Sequence, residues 1–178
     1  FGHMWELYTF WAFTPIILML YTAVQSQSIN IPLWSFVIIS VGSLSCVAGG
    51  YISQKIGSSR VAFYALACSG LCCLASALVF QFGMLPFVLV MLLWGSSVIA
   101  DSPQFSTLVA QTAIPEYKGT ALTIVTSMGF AITIASIQLL NWAFDSWSNK
   151  NLVFLLLAPG PVLGLSFLLR LVKPKKGK

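Results

Sequence analysis

The stretch "PFVLVMLLWGSSVIADSPQFSTLVAQ", residues 86–111, contains a single charged side chain, that of Asp101. About 20 apolar residues in a helix cross the hydrocarbon core of a bilayer, so the stretch predicts a membrane-spanning helix. An ionised carboxylate at the centre of such a helix costs about 2.5–3.5 kcal/mol. The sequence therefore raises the question of what compensates for Asp101.

The composition of the whole chain points to the same environment. Of the 178 residues, 58% are hydrophobic and 7% are charged, whereas about 25% are charged in an ordinary soluble domain. The apolar runs are continuous and do not alternate, which favours helices over membrane strands. The sequence predicts an all-α, polytopic membrane protein.

Six apolar segments follow one another along the chain, separated by short polar connections. We expect one six-helix bundle over residues 1–172 and a basic cytoplasmic tail over 173–178. Pro15, Pro103 and "APGPVLG" (158–164) are expected to kink or interrupt their helices. The predicted spans cover approximately residues 4–24, 32–52, 61–81, 86–111, 119–143 and 151–171.

The basic residues predict the orientation of these spans. With six spans, the N-terminus, the second and fourth connections and the tail fall on one side. That side carries every Lys and Arg except Lys150. By the positive-inside rule, both termini are predicted to be cytoplasmic. The net charge of +5 therefore indicates topology, and we expect no nucleic-acid partner.

The fourth span carries a polar face as well as its acid. Ser97, Asp101, Gln104 and Gln111 recur at helical spacing, with Leu108 between the last two, so the four polar residues are predicted to share one side of the helix and to face protein or water. Two interpretations remain open. Asp101 either orders the bundle through interhelical hydrogen bonds at a break near Pro103, or it lines a path for solute, protons or cations.

Other polar residues of the spans are weaker candidates. Glu6 is either a second site residue or a cytoplasm-facing acid near a helix end. In the fifth span, small and hydroxylated residues first indicate close helix packing, while Thr126, Thr133 and Gln138 remain candidates for lining a path. His3, the only histidine, is expected to be a solvated terminal residue.

The sequence argues against enzymatic function. It has no His pair, no nucleophile with a matching base, no metal-ligand spacing and no glycine-rich phosphate loop. We therefore expect no catalytic residues, no metal and no cofactor. The four cysteines all lie in predicted spans and are interpreted as small packing residues. They are Cys46, Cys68, Cys72 and Cys73.

Two groups of residues resemble a known family. "GGYISQKIGSSR" (49–60) is similar to the loop signature of the major facilitator superfamily, with Gly50, Lys55 and Gly57 in matching positions. Gln54 replaces the acid of the signature, and Arg60 stands one position late. "GHMWELYTFWAF" (2–13) and residues 100–140 resemble the seventh helix and the tenth-to-eleventh helix region of bacterial members.

The resemblance implies a fold and a function. It implies an all-α half-bundle, the C-terminal six helices of a secondary transporter in the bacterial inner membrane. Two such halves enclose a small solute near the midplane and rock by alternating access, so the implied partner is an N-terminal half or a second copy. Because the chain begins at Phe1 without a Met, we expect its start to be internal to a longer natural chain.

The resemblance also implies roles for particular residues. Protons are a candidate coupling ion, since protonation removes the charge of a carboxylate in an occluded site. The alternative is a non-transporting half-length module that assembles with another membrane protein. The candidate residues of the solute or proton path, taken from the polar positions within the spans, are Asp101, Glu6, Gln104, Ser97 and Thr126. The residues that the resemblance implies in the gating loop are Gly50, Lys55, Gly57 and Arg60.

Overall fold

The structure is a computed structural model that describes residues 1–172; the predicted basic tail lies outside the described residues. This part of the chain is helical and has no strand. Two 3₁₀ segments, Pro115–Tyr117 and Lys150–Leu157, complete the architecture. The α-helices are α1 (Gly2–Gln25), α2 (Ile31–Ile56), α3 (Ser58–Val79), α4 (Met84–Ala100), α5 (Ser102–Thr112), α6 (Lys118–Ser146) and α7 (Pro159–Val172).

The prediction of six membrane spans is confirmed as far as length and composition can show it. Six helical segments are long and apolar enough to cross a bilayer. The fourth span consists of α4 and α5, and the sixth consists of the second 3₁₀ segment followed by α7. The described chain thus has the architecture of a multi-pass membrane protein.

The predicted polar connection at 53–60 is mostly helical. Helix α2 continues to Ile56 and α3 begins at Ser58, so Gly57 alone separates them. Gly57 has φ 88° and ψ 146°, a conformation that side chains with a Cβ rarely adopt. A glycine here therefore allows two long helices to join with almost no loop.

The fourth span breaks at Asp101, as the proline nearby predicts. Pro103 has no N–H to close a helical bond with the carbonyl of Ile99, and the Cys46 thiol of α2 donates to that carbonyl at 3.4 Å. On the other side of the break, the amides of Gln104 and Phe105 both donate to the Asp101 carbonyl at 3.0 Å. A neighbouring helix thus compensates for the break.

The sixth span is broken in the same way, whereas the first is not. Pro159 cannot donate to the carbonyls of the preceding turn, and the Trp5 indole of α1 donates to the Leu156 carbonyl at 2.9 Å. Helix α1, in contrast, runs unbroken through Pro15. Of the two expected effects of this proline, a kink or an interruption, the interruption does not occur, and α1 can serve as a continuous element in the bundle.

Helix α1 packs against much of the bundle, with contacts to α2, α4, α6, α7 and the second 3₁₀ segment. Aromatic side chains fill the core around it. Phe10 packs on Trp94 with ring centroids 4.7 Å apart, and Tyr21 stacks on Phe87 at 3.8 Å. Helices α2 and α6 are the least buried of the spans, and their exposed surface is the open side of the bundle.

Glycines set the closest helix contacts. A Cβ at Gly95 of α4 would overlap the backbone carbonyl of Ile38 in α2. Gly2 of α1 and Gly160 of α7 are similarly close, since a Cβ on either would overlap the carbonyl of the other. Small residues let membrane helices approach in this way, and they bring the first turn of α1 into the bundle.

Gly95→Ala is expected to destabilise the bundle by about 1–3 kcal/mol, because the added methyl group meets backbone that cannot rotate away. The measurement is thermal unfolding in detergent, followed by helical circular dichroism. Gly119→Ala is the control, since a Cβ there meets nothing within 4 Å, and it should leave the melting temperature unchanged or raise it. Equal melting temperatures for the two variants would contradict this packing.

Candidate functional site

Three titratable side chains meet inside the bundle. His3 and Glu6 are three residues apart on α1 and therefore lie on one face of the helix, while Asp101 stands at the break between α4 and α5. Glu6 and Asp101 are fully buried, and His3 is 4% exposed. Buried charges are rare unless they are paired or hydrogen-bonded, so the partners of each group determine what the site can do.

The Glu6 carboxylate is held by donors from two other helices. The Trp94 indole of α4 donates to Oε1 at 2.7 Å, and the Cys73 thiol of α3 donates to the same oxygen at 3.1 Å. The Ser69 hydroxyl, one turn earlier on α3, donates to Oε2 at 2.9 Å. Both oxygens are therefore satisfied, as a buried carboxylate requires.

Asp101 is instead paired with His3. His3 Nδ1 lies 2.8 Å from Asp101 Oδ1, within ion-pair distance when the imidazole is protonated. Within the described residues, none of the four polar side-chain atoms of the pair has an aligned hydrogen bond. His3 also lies beside Phe105 of α5, with ring centroids 5.5 Å apart. The pair joins α1 to the break and leaves its outer atoms, His3 Nε2 and Asp101 Oδ2, without partners.

The structure overturns one expectation about these helices and refines two others. His3 is a buried partner of Asp101, so the prediction of a solvated terminal residue is wrong. Glu6 does not face the cytoplasm, since it has no exposed surface. Cys73 and Cys46 are donors to a carboxylate and a carbonyl, a role that the interpretation of cysteines as packing residues did not include.

The other predicted residues of the fourth span divide into two groups. Ser97 and Gln104 are buried beside Asp101. The Ser97 hydroxyl donates to the Trp94 carbonyl at 3.2 Å, and the Gln104 amide approaches Gly49 of α2. Gln111 is exposed at the end of α5. The polar face therefore turns into the protein only around the break.

The candidates on α6 are not brought to this cluster. Thr126 and Gln138 are exposed. Thr133 is buried and its hydroxyl donates to the Met4 carbonyl of α1 at 2.9 Å. This contact corresponds to the interpretation of α6 residues as helix-packing residues. One turn later, the Ser136 hydroxyl shares a hydrogen bond of 2.5 Å with the Thr9 hydroxyl of α1.

The residues of the gating-loop signature lie together where α2 meets α3. Gly50 is half-buried in α2, Lys55 is exposed in its last turn, Gly57 joins the helices and Arg60 is exposed in the first turn of α3. Among residues 1–172, the His3–Asp101 contact is the one contact at ion-pair distance. Lys55 and Arg60 are therefore free cations of this part of the chain.

A groove of about 660 Å³ opens between α1, α2 and α4. Its walls carry two hydroxyl groups and one thiol but no charged side chain. It adjoins the titratable cluster through Cys46 and Ile99, which form the hydrogen bond at the break. The lining residues are Trp11, Phe36, Ile39, Ser40, Ser43, Cys46 and Ile99.

Comparison of the chain with protein-family models, curated proteins and solved structures finds no match. Within the described residues, His, Cys, Asp and Glu form no group of three suited to a metal ion.

Trp94→Phe is expected to destabilise the bundle by about 1–3 kcal/mol, because it removes a hydrogen bond to a buried carboxyl group and leaves Glu6 Oε1 with one donor. Trp142→Phe, at a side chain that is 59% exposed, is the control and should have little effect. Thermal unfolding in detergent provides the measurement.

A double-mutant cycle separates the hydrogen bond from lost packing. If the bond is the cause, Trp94→Phe costs less in a Glu6→Gln background than in the native chain. An identical cost in both backgrounds would refute the assignment of the indole to Glu6.

Proposed function

We propose that the chain is a six-helix half-bundle of the major facilitator type, which moves a small solute across the membrane by alternating access. The buried cluster of His3, Glu6 and Asp101 carries this proposal. Ionisable groups inside a membrane bundle are expensive and typically mark paths for solutes or protons. Here they lie beside a discontinuous span, which is where transporters bind their substrates and ions.

The groove beside the cluster is the proposed contact for the solute. Its volume of about 660 Å³ lies in the usual range for small-molecule pockets, about 300–1,000 Å³. The aromatic walls at Trp11 and Phe36 and the absence of charge in the lining suit a neutral solute with apolar surface. The hydroxyls of Ser40 and Ser43 provide its polar contacts.

The open side of the bundle supports a second half as partner. Helices α2 and α6 are the least buried spans, and they expose polar side chains within those spans. Such groups face protein or water more readily than lipid. The exposed polar residues of these helices include Ser43, Thr123, Thr126, Ser127 and Gln138. In this proposal they face the other half and the cavity between the halves.

The same open face also supports the alternative, a non-transporting module that assembles with another membrane protein. The two candidates differ in what the buried cluster does, since a module needs it only for stability. In-frame DNA upstream of the Phe1 codon that encodes six further spans would favour the transporter.

Uptake into proteoliposomes tests the transport proposal. With a panel of labelled neutral and charged small solutes and an imposed pH gradient, Asp101→Asn is expected to lower uptake by about tenfold or more. Asp145→Asn, at an exposed position near the end of α6, should retain native uptake. Equal uptake by both variants, or loss of uptake only in proportion to lost folded protein, would support the module.

The proposed orientation places the α2–α3 junction in the cytoplasm and the connection after α6 outside. Ser148→Cys should therefore react with a membrane-impermeant maleimide in intact cells, whereas Lys55→Cys should react only after permeabilisation. Both positions are exposed within the fold, so a difference in labelling reports the side of the membrane on which each one lies. The reverse labelling pattern would invert the proposed topology.

A further inference from the structure

The two buried acids differ in how they are held. Both oxygens of Glu6 receive hydrogen bonds, from three donors on α3 and α4. Asp101 has one side chain at ion-pair distance, that of His3, and within the described residues the buried outer atoms Asp101 Oδ2 and His3 Nε2 have no hydrogen-bond partner. Buried polar atoms without partners are rare in native proteins, and those that occur often serve a function.

The position of Asp101 also allows it to change its charge. It stands at the junction of α4 and α5, where its backbone carbonyl accepts the two amides that start α5. Its side chain caps neither helix. A proton can therefore bind to the carboxylate or leave it without removing a bond that supports either helix. A change of charge at Glu6 would disturb hydrogen bonds to two helices.

We propose that the His3–Asp101 pair is the site at which the bundle takes up and releases a proton, and that Glu6 is a fixed positioning residue. This inference rests on the proposed function, because it assigns the coupling step of that transport to one pair. It adds His3, for which the sequence indicates no such role.

The proton balance is simple. A neutral imidazole beside an ionised Asp101 carries a net charge of −1. One proton from bulk water, bound at a ring nitrogen of His3, brings the pair to zero charge, and the same proton returns to water on release. Only the neutral pair crosses an occluded state at low cost, because an uncompensated charge in the interior is strongly unfavourable.

The titratable groups around the His3–Asp101 pair do not replace it as the site of proton exchange. On α1 the nearest titratable group is Glu6, and on α2 it is the Cys46 thiol, which lies within electrostatic reach of Asp101. On α3, Cys73 and Ser69 face Glu6. Helix α5 has no titratable side chain, and in the described residues α6 and α7 carry theirs only towards their ends.

The amino group of Phe1 also lies near Asp101. A preceding tag converts it to an uncharged amide, and the experiment uses such a chain.

The single histidine makes the inference directly measurable. The full chain, labelled with ¹⁵N-histidine, purified with a histidine-free N-terminal tag and placed in lipid nanodiscs, gives the nitrogen signals of His3 alone. We expect the ring to change reversibly between its doubly and singly protonated forms between about pH 5 and 9. Circular dichroism should show the same helix content throughout.

Variants identify the partner of His3. At pH 7, Asp101→Asn is expected to reduce the doubly protonated fraction severalfold, because a buried imidazolium without a counter-ion is costly. Glu6→Gln should reduce that fraction less than Asp101→Asn does, since Glu6 does not pair with His3. Asp101→Glu retains the carboxylate and should restore the native signal.

A ring that keeps one protonation state across this range in the folded native chain would overturn the inference. A larger effect of Glu6→Gln than of Asp101→Asn would also overturn it. Because titration of the native chain is the primary measurement, a variant that fails to fold does not remove the test.

The transport proposal and the assignment of the proton site can be tested separately. Solute uptake by a chain whose His3 does not titrate would leave transport in place and exclude this pair as the proton site. Titration of His3 in a chain that transports no solute would support the pair and contradict the transport proposal.

Discussion

The requirement that a buried carboxylate be compensated organises this bundle. Glu6 enters the membrane interior on α1, and donors from α3 and α4 converge on its two oxygens. Because each donor lies on a different turn or helix, the carboxylate fixes the relative rotation of three spans at once. Apolar packing such as Phe10 on Trp94 gives contact area, but it does not select one rotation as strictly as three directional bonds do.

The two broken spans follow the same physical rule at the level of the backbone. Proline removes an amide from the helical ladder, and the freed carbonyls need donors because lipid offers none. The Cys46 thiol and the Trp5 indole donate to the carbonyls of Ile99 and Leu156. Each break is therefore tied to another span, and the irregular backbone lies within the protein.

The distribution of burial gives the bundle two sides. Around α1, α3 and α4 the core is dense, whereas α2 and α6 are mostly exposed. The groove between α1, α2 and α4 lies on the open side and reaches the break through Cys46 and Ile99. In the proposed transporter, a solute in the groove and a charge change at Asp101 act on the same segment of α4, which offers a physical route for coupling them.

The sequence by itself determined the six spans and most of their limits, since hydropathy, caps and prolines act over a few residues. It also indicated the break at Asp101, and the inward face of Ser97 and Gln104, from local spacing alone. The tertiary structure decided which buried polar side chains are partners. That His3 meets Asp101, and that Glu6 meets Ser69, Cys73 and Trp94, depends on how helices distant in sequence rotate against one another. Local periodicity does not specify that rotation, because it is set by close contacts such as those at Gly2, Gly95 and Gly160.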